Sequence, residues 1–420
     1  MSKLKKYGIL ILVAYFLMEA TSFLFFSIIH NEIFSFRKVR QHQNEILANS
    51  SSEGLKLNDT RVPWNVSLHP YFGFGKPAPP GFDFLENPND IIQNDPNGVI
   101  VGITGGSVSW SLFKNSKNVL KDYIEKIDAF NSKNVYIIML GSFAWKQPQQ
   151  LTALAYYLSM GGRLDILINL DGHNEVVDTG TNLRRNVNPS YPQYWYELSS
   201  NVLTVEKMSL ISDMNSLKIG KYKWTNLLSK FKFSVTASVF WELNNNYLDT
   251  ILNNKRTLLE KLEDPDANAR PYYKYGPKRK FTSYEDAYKY FAEIWKRSSI
   301  QLYKLSKSNG ATYFHFLQPN QYVRNSKTFS DEEIAKYYKP KAMGAGIRRG
   351  YPLLLALSKD LKKEGIEFHD ITMIFKDEKE TIYRDDCCHL NKKGNDVLAH
   401  HIGQTILKYY ENNSGHLITR

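Results

Sequence analysis

Five short apolar runs punctuate this chain, and between them lie longer stretches in which apolar residues recur every three or four positions. The runs are Gly98–Thr104, Val135–Leu140, Leu164–Leu170, Thr312–Leu317 and Gly365–Ile371, rich in Val, Ile, Leu and Phe and without strict alternation. Strands covered on both faces read this way, because neither side of the pleat meets water. The stretches between predict helices: NVLKDYIEKIDAF (118–130), PQQLTALAYYLSM (148–160), SYEDAYKYFAEIWKRSSIQLYKLSKS (283–308) and YPLLLALSKDLKKEG (351–365). Thr282 with Glu285 reads as a capping box before the third of these, and Asn309-Gly310 as its stop. Alternating β and α predict an α/β fold, a mostly parallel sheet with helices on both faces.

Three regions break that rhythm. From Tyr7 to Ile29 the chain is apolar apart from Glu19 and a few small polar residues. At about 1.5 Å per residue that is long enough to cross a hydrocarbon core of about 30 Å. The run outlasts a signal-peptide core and has no A-x-A cleavage site, so an uncleaved anchor is expected. Lys3, Lys5 and Lys6 put the short N-terminus in the cytoplasm and the body outside it. Glu19, near mid-membrane, is expected to be protonated or to meet a polar partner helix. Next, HPYFGFGKPAPPGFDF (69–84) predicts an extended, Pro/Gly-punctuated approach to the body. Last, residues 177–280, rich in Tyr, Trp, Lys and Asn, predict a helical insertion after the third strand. The resulting scheme is a cytoplasmic tip and anchor over 1–30, a linker and lead-in over 31–97, and a body over 98–412 carrying the insertion.

Composition narrows the partners. The 54 Lys and Arg against 42 Asp and Glu leave a net charge of +12, which favours anionic surroundings. The lysines are spread along the whole chain with no compact Arg-rich run, so nucleic acid is not expected as a partner. The two cysteines, Cys387 and Cys388, are adjacent. A disulfide between them would be strained and would close no loop, and a zinc site wants ligand pairs spaced by a few residues. Their expected role is small-volume packing, with a reactive thiol beside His389 as the alternative. No metal or cofactor is expected.

In open α/β sheets ligands bind beyond the carboxyl ends of the strands, so the loops there carry the candidate chemistry. After the first strand comes GGSVSW, with Ser107 on a glycine turn; after the second, GSFAWKQPQQ; after the third, DGHNEV, with Asn174. Beyond the last comes RDDCCHLNKKG, with Asp386 and His389. A serine, an amide and an Asp/His pair thus converge on one sheet edge. G-x-S-x-G is not satisfied around Ser107, since position 109 is serine, which argues against the α/β-hydrolase elbow.

These four blocks, in this order, resemble the SGNH (GDSL-like) hydrolases over about Gly98 to Tyr410. The resemblance implies a flavodoxin-like three-layer α/β/α fold and esterase-type activity, with Ser107 in GGSV as nucleophile, Asn174 in GHNE as the amide of the G-x-N block, and Asp386 with His389 as the D-x-x-H block. The second block, LGSFAWKQPQQL, carries Ala144 where the family has glycine, and no aspartate precedes Ser107. On this reading His389 takes the serine proton, Asp386 fixes its tautomer, and an oxyanion is held by the backbone N–H of Ser107, the backbone N–H of Ala144 and the Asn174 amide. Alanine at 144 keeps the N–H but resists a positive φ.

The expected function is therefore a membrane-anchored, extracytoplasmic serine esterase acting on O-acyl esters, with an acylated carbohydrate of the cell surface or a small ester as substrate. An O-acyltransferase of surface polysaccharide would use the same site, and a catalytically weak glycan-binding or assembly protein would keep only the fold. Acyl group, acceptor and oligomeric state stay open.

Overall fold

The computed structural model describes residues 3–30, 33–51, 67–75, 90–184, 187–193, 205–261, 279–340 and 343–413. Among them the order along the chain is α1 (Lys3–His30), α2 (Phe36–Ser51), β1 (Ser67–His69), β2 (Gly73–Gly75), α3 (Asp90–Asn94), β3 (Val99–Gly105), α4 (Ser107–Ile124), β4 (Val135–Met139), α5 (Gln149–Ser159), β5 (Ile166–Asp171), α6 (His173–Arg184), α7 (Val205–Leu228), α8 (Val235–Lys261), α9 (Tyr284–Ser308), β6 (Thr312–Leu317), α10 (Met343–Lys363), β7 (Glu367–Asp370) and α11 (Lys392–Asn413). The chain divides into two compact units, Met1–Trp64 with Ser200–Arg270, and Asn65–Ser199 with Pro271–Arg420.

The second unit holds a five-stranded, all-parallel sheet in the order β4-β3-β5-β6-β7. The five strands are the five apolar runs, with ends shifted by at most two residues. Side chains alternate across a strand, and here they alternate between two cores. Val99, Val101, Ile103, Ile166 and Ile168 join Leu112 and Leu120 of α4 and Leu398 and Ile402 of α11. Ile100, Leu167 and Tyr313 join Leu154 of α5, Trp295 of α9 and Leu354 of α10. Burial on both sides is why β3 and β5 carry no polar alternation.

Three boundaries differ from expectation. The cap of α9 is Ser283, whose side chain accepts from the Asp286 N–H at 3.1 Å, while the Asp286 carboxylate takes the Thr282 N–H. The box is one residue later than Thr282 and Glu285. α6 runs from ahead of the expected insertion into it, to Arg184, yet belongs to the sheet-bearing unit; its Val176 presses on Gly350 of α10, where a Cβ would lie 2.1 Å from the valine side chain. Part of the expected linker also belongs there: the β1–β2 hairpin buries Phe72 and Phe74 in the α5-side core. Residues 31–32, 52–66 and 76–89 of the linker and lead-in, and 185–186, 194–204 and 262–278 of the insertion, lie outside the described residues.

The first unit is helical. Lys6–Ile29 within α1 is long and apolar enough to cross a membrane. Phe26 of α1, Phe34 and Val39 before and within α2, and Val239 and Trp241 of α8 form a small core.

Candidate active site

Glycine sets up the first element of the site. β3 ends at Gly105, at φ +138°, where a Cβ would lie 2.0 Å from the Leu170 carbonyl oxygen. At Gly106 a Cβ would lie 2.4 Å from Asn174 Nδ2. With two residues lacking side chains the chain turns at once into α4, and Ser107 becomes its first residue. The N–H groups of a helix's first turn have no intrahelical acceptor, so the Ser107 N–H is free of the helix ladder and carries the positive end of its dipole.

His389 reaches Ser107 from the segment before α11. Its Nε2 lies 2.7 Å from Ser107 Oγ, and its Nδ1 lies 2.5 Å from Asp385 Oδ2. A carboxylate only accepts, so Nδ1 carries the ring proton and Nε2 is left to accept from the serine hydroxyl. The aspartate is Asp385 and not Asp386, a correction to the sequence reading. Asp385 Oδ1 also takes the N–H groups of Cys387, Cys388 and His389 at 3.0 to 3.2 Å, so the carboxylate lies inside the turn that it closes. Asp386, one residue on, faces outward at 48% exposure, 3.8 Å from Lys339 Nζ. The working spacing is D-x-x-x-H. Burial works to raise the Asp385 carboxyl, but the His389 ring and these backbone donors outweigh it and hold it below its ordinary value.

The other two predicted donors come from the loops after β4 and β5. Ala144 has φ +59°, so it occupies the left-handed region that glycine fills without cost. Its neighbour Trp145 is buried, gives its indole N–H to the Phe74 carbonyl at 2.7 Å, and accepts from Asn174 Nδ2 at 2.8 Å through its own carbonyl. The β1–β2 hairpin therefore braces Trp145, and Trp145 braces Asn174. One N–H of the Asn174 amide is spent on that carbonyl and the second remains for a ligand.

Several supporting residues have no signal in the sequence. Glu175 accepts from the Gly172 N–H at 2.8 Å and the Gln147 N–H at 3.1 Å, tying the two donor loops together; burial first, and then Asp171, push its carboxyl up to about 8. Glu333 accepts from the N–H groups of Ile382 and Tyr383 and pairs with Lys327 Nζ at 2.9 Å, both side chains fully buried. Gln321 and Tyr322 donate to the carbonyls of Asp385 and Asp386. All of these contacts join residues far apart in sequence, or carboxyls that pattern alone would place in solvent.

Cys387 and Cys388 have Sγ atoms 3.5 Å apart, and Cys387 Sγ lies 3.3 Å from His173 Nε2. The sulfurs and the His173 ring nitrogen lie close enough together to suggest a metal cradle. The hydrogen bonds oppose it. Asn320 Oδ1 takes the Tyr322 N–H, so Asn320 Nδ2 faces His173 Nδ1 at 2.8 Å and the ring proton sits on Nε2, directed at the sulfur. A ligating histidine instead donates from its other nitrogen to an acceptor. The Cys388 hydrogen bond, followed by the histidine rings and against burial, holds the Cys387 thiol well below its ordinary range, while burial pushes Cys388 up.

No protein-family model matches this chain and no curated protein matches it, so the chemistry of the Ser107, His389 and Asp385 relay stands on its geometry alone.

Proposed function

We propose that the chain is a membrane-anchored serine ester hydrolase of the SGNH type, with its body outside the cytoplasm and an O-acyl ester, on a cell-surface glycan or a small molecule, as substrate. The observation that carries this is His389 held between Ser107 Oγ and Asp385, with the proton on the nitrogen that a general base requires. Counted within the parallel sheet alone, the strand order is 2-1-3-4-5, that of flavodoxin-like sheets, which supports the three-layer α/β/α body that the family resemblance implies.

The chemistry follows. Ser107 Oγ attacks the ester carbonyl as His389 Nε2 takes its proton, and Asp385 stabilises the imidazolium. The oxyanion meets the Ser107 N–H, the Ala144 N–H and the Asn174 amide. Collapse expels the alcohol, protonated by His389, and leaves an acyl-serine. Water, activated by the same ring, releases the acid; a sugar hydroxyl in its place would make the reaction a transfer.

The test is a fluorophosphonate probe with p-nitrophenyl acetate on the detergent-solubilised chain. Covalent label on Ser107 and ester turnover are expected, both absent in Ser107→Ala. Acyl-sugar formed faster than free acid on adding oligosaccharide would assign the transferase. A folded chain that neither labels nor turns over any short-chain ester would overturn the proposal.

A further inference from the structure

Glu19 sits ten residues before the end of the apolar span at Ile29, so about 15 Å inside it at the rise of an α-helix. Its carboxylate does not face open space. It accepts from Ser234 Oγ at 2.6 Å and from the N–H groups of Val235 and Thr236, and Ser22 Oγ, one turn further on, lies 3.0 Å from Thr236 Oγ1. Glu19 thereby satisfies the first N–H groups of α8. The turn between α7 and α8 is tied to the middle of the apolar helix, well inside its outer end.

That turn, SKFKFS from Ser229 to Ser234, has the composition of a membrane-facing segment. Phe231 is 56% exposed and Phe233 82%, on a tip that also exposes Lys230 and Lys232. An isolated exposed phenylalanine needs no explanation, but two at the tip of a hairpin bonded to an apolar span do. Part of the backbone of the turn is also provided for. Phe231 N–H goes to the Leu228 carbonyl, Ser234 N–H to the Phe231 carbonyl, and Arg40 donates to the Lys232 carbonyl. Each group so satisfied lowers the cost of placing a non-helical segment in a bilayer. The Arg40 guanidinium lies over the Phe36 and Phe233 rings, where it shields charge with aromatic surface.

We infer that the α7–α8 turn is seated in the bilayer beside α1, with Phe231 and Phe233 among the acyl chains of the leaflet opposite the N-terminus. The inference rests on the anchor reading of α1. It makes the insertion a second membrane contact, which fixes the rotation and depth of α1 where a lone helix would spin and tilt freely.

The test uses the full chain in vesicles of phosphatidylcholine and phosphatidylglycerol that carry a phosphatidylcholine with a diazirine on its acyl chain. After irradiation, adducts mapped by mass spectrometry are expected on α1 and on the peptide around 227–233. Adducts on α1 without any on the turn would overturn the inference and leave the anchor standing. No adducts on α1 would remove the anchor reading and the inference with it. Phe231→Asn with Phe233→Asn should lower the adducts on the turn by about tenfold or more and leave those on α1 unchanged; an unchanged yield on the turn would show that these side chains do not face lipid.

Discussion

At the scale of single residues, two adjacent aspartates carry different duties. Asp385 meets His389 and three backbone N–H groups, while the Asp386 carboxylate faces Lys339 at the surface. Asp385→Asn would let the ring take the wrong tautomer and is expected to lower kcat by about 10³–10⁴-fold with little change in KM. Asp386→Asn should stay within about twofold, since an exposed ion pair contributes little. Steady-state kinetics on p-nitrophenyl acetate separates them, and equal losses would return the role to Asp386. The choice was not legible in the sequence, because it turns on which carboxylate the backbone folds around, a matter of dihedrals. The positions of Ser107, Asn174 and His389 were legible, since each follows a strand or precedes a helix whose pattern is unambiguous. Ala144 was half legible: its place in the second block shows in the sequence, but the positive φ that the turn imposes on it appears only in the fold.

Elements show the same division between local and distant causes. The strands were readable because burial on both faces leaves an uninterrupted apolar run, and α9 because its stripe is strong and its cap local. The tie that positions the His389 segment was not readable, since it joins Glu333, paired with Lys327, to the backbone of Ile382 and Tyr383, some fifty residues away. Nothing in the spacing of those residues marks a charge pair that will be buried. Glu333→Gln leaves the buried Lys327 ammonium with the Thr328 and Glu378 carbonyls but no counter-charge, and is expected to cost about 3 kcal/mol in urea unfolding at pH 7. The pH dependence has a definite sign. Burial acts to raise the Glu333 carboxyl, but the backbone donors and Lys327 prevail and hold it below its ordinary value. A depressed carboxyl stabilises the fold above its unfolded value, about 4.3, and loses that contribution as pH falls through the folded value. The gap between the native chain and Glu333→Gln should therefore narrow below about pH 4.3. A gap independent of pH would show that the pair carries no charge. As a positioning residue, Glu333 should slow fluorophosphonate labelling of Ser107 in the variant without abolishing it.

For the whole molecule, the decisive fact is that the two compact units are each built from separated stretches of chain. Met1–Trp64 and Ser200–Arg270 make up one of them, and the sheet and both large cores lie in the other. The expected scheme, an anchor and linker ahead of the body, would let a chain that starts past the anchor, for example at Asn58, stand as the soluble body. The packing contradicts that choice. Val239 and Trp241 of α8 are buried by Phe26, Phe34 and Val39, all of which lie before residue 58. Each large apolar side chain so uncovered forfeits about 1.5–3 kcal/mol of burial and presents a sticky surface. A chain starting at Asn58 is therefore expected to aggregate, or to elute from gel filtration as a single species only in detergent. Removing residues 1–64 and 200–270 together, with a flexible Gly/Ser linker joining 199 to 271, takes away both partners of that small core and leaves Ser107, His389, Asp385, Asn174 and Ala144 with all their described supports. This shorter chain should stay soluble without detergent and take the fluorophosphonate label at Ser107. If instead the chain from Asn58 is soluble and reactive while the doubly trimmed chain precipitates, the helical unit is an integral support of the catalytic body and not a separate membrane element.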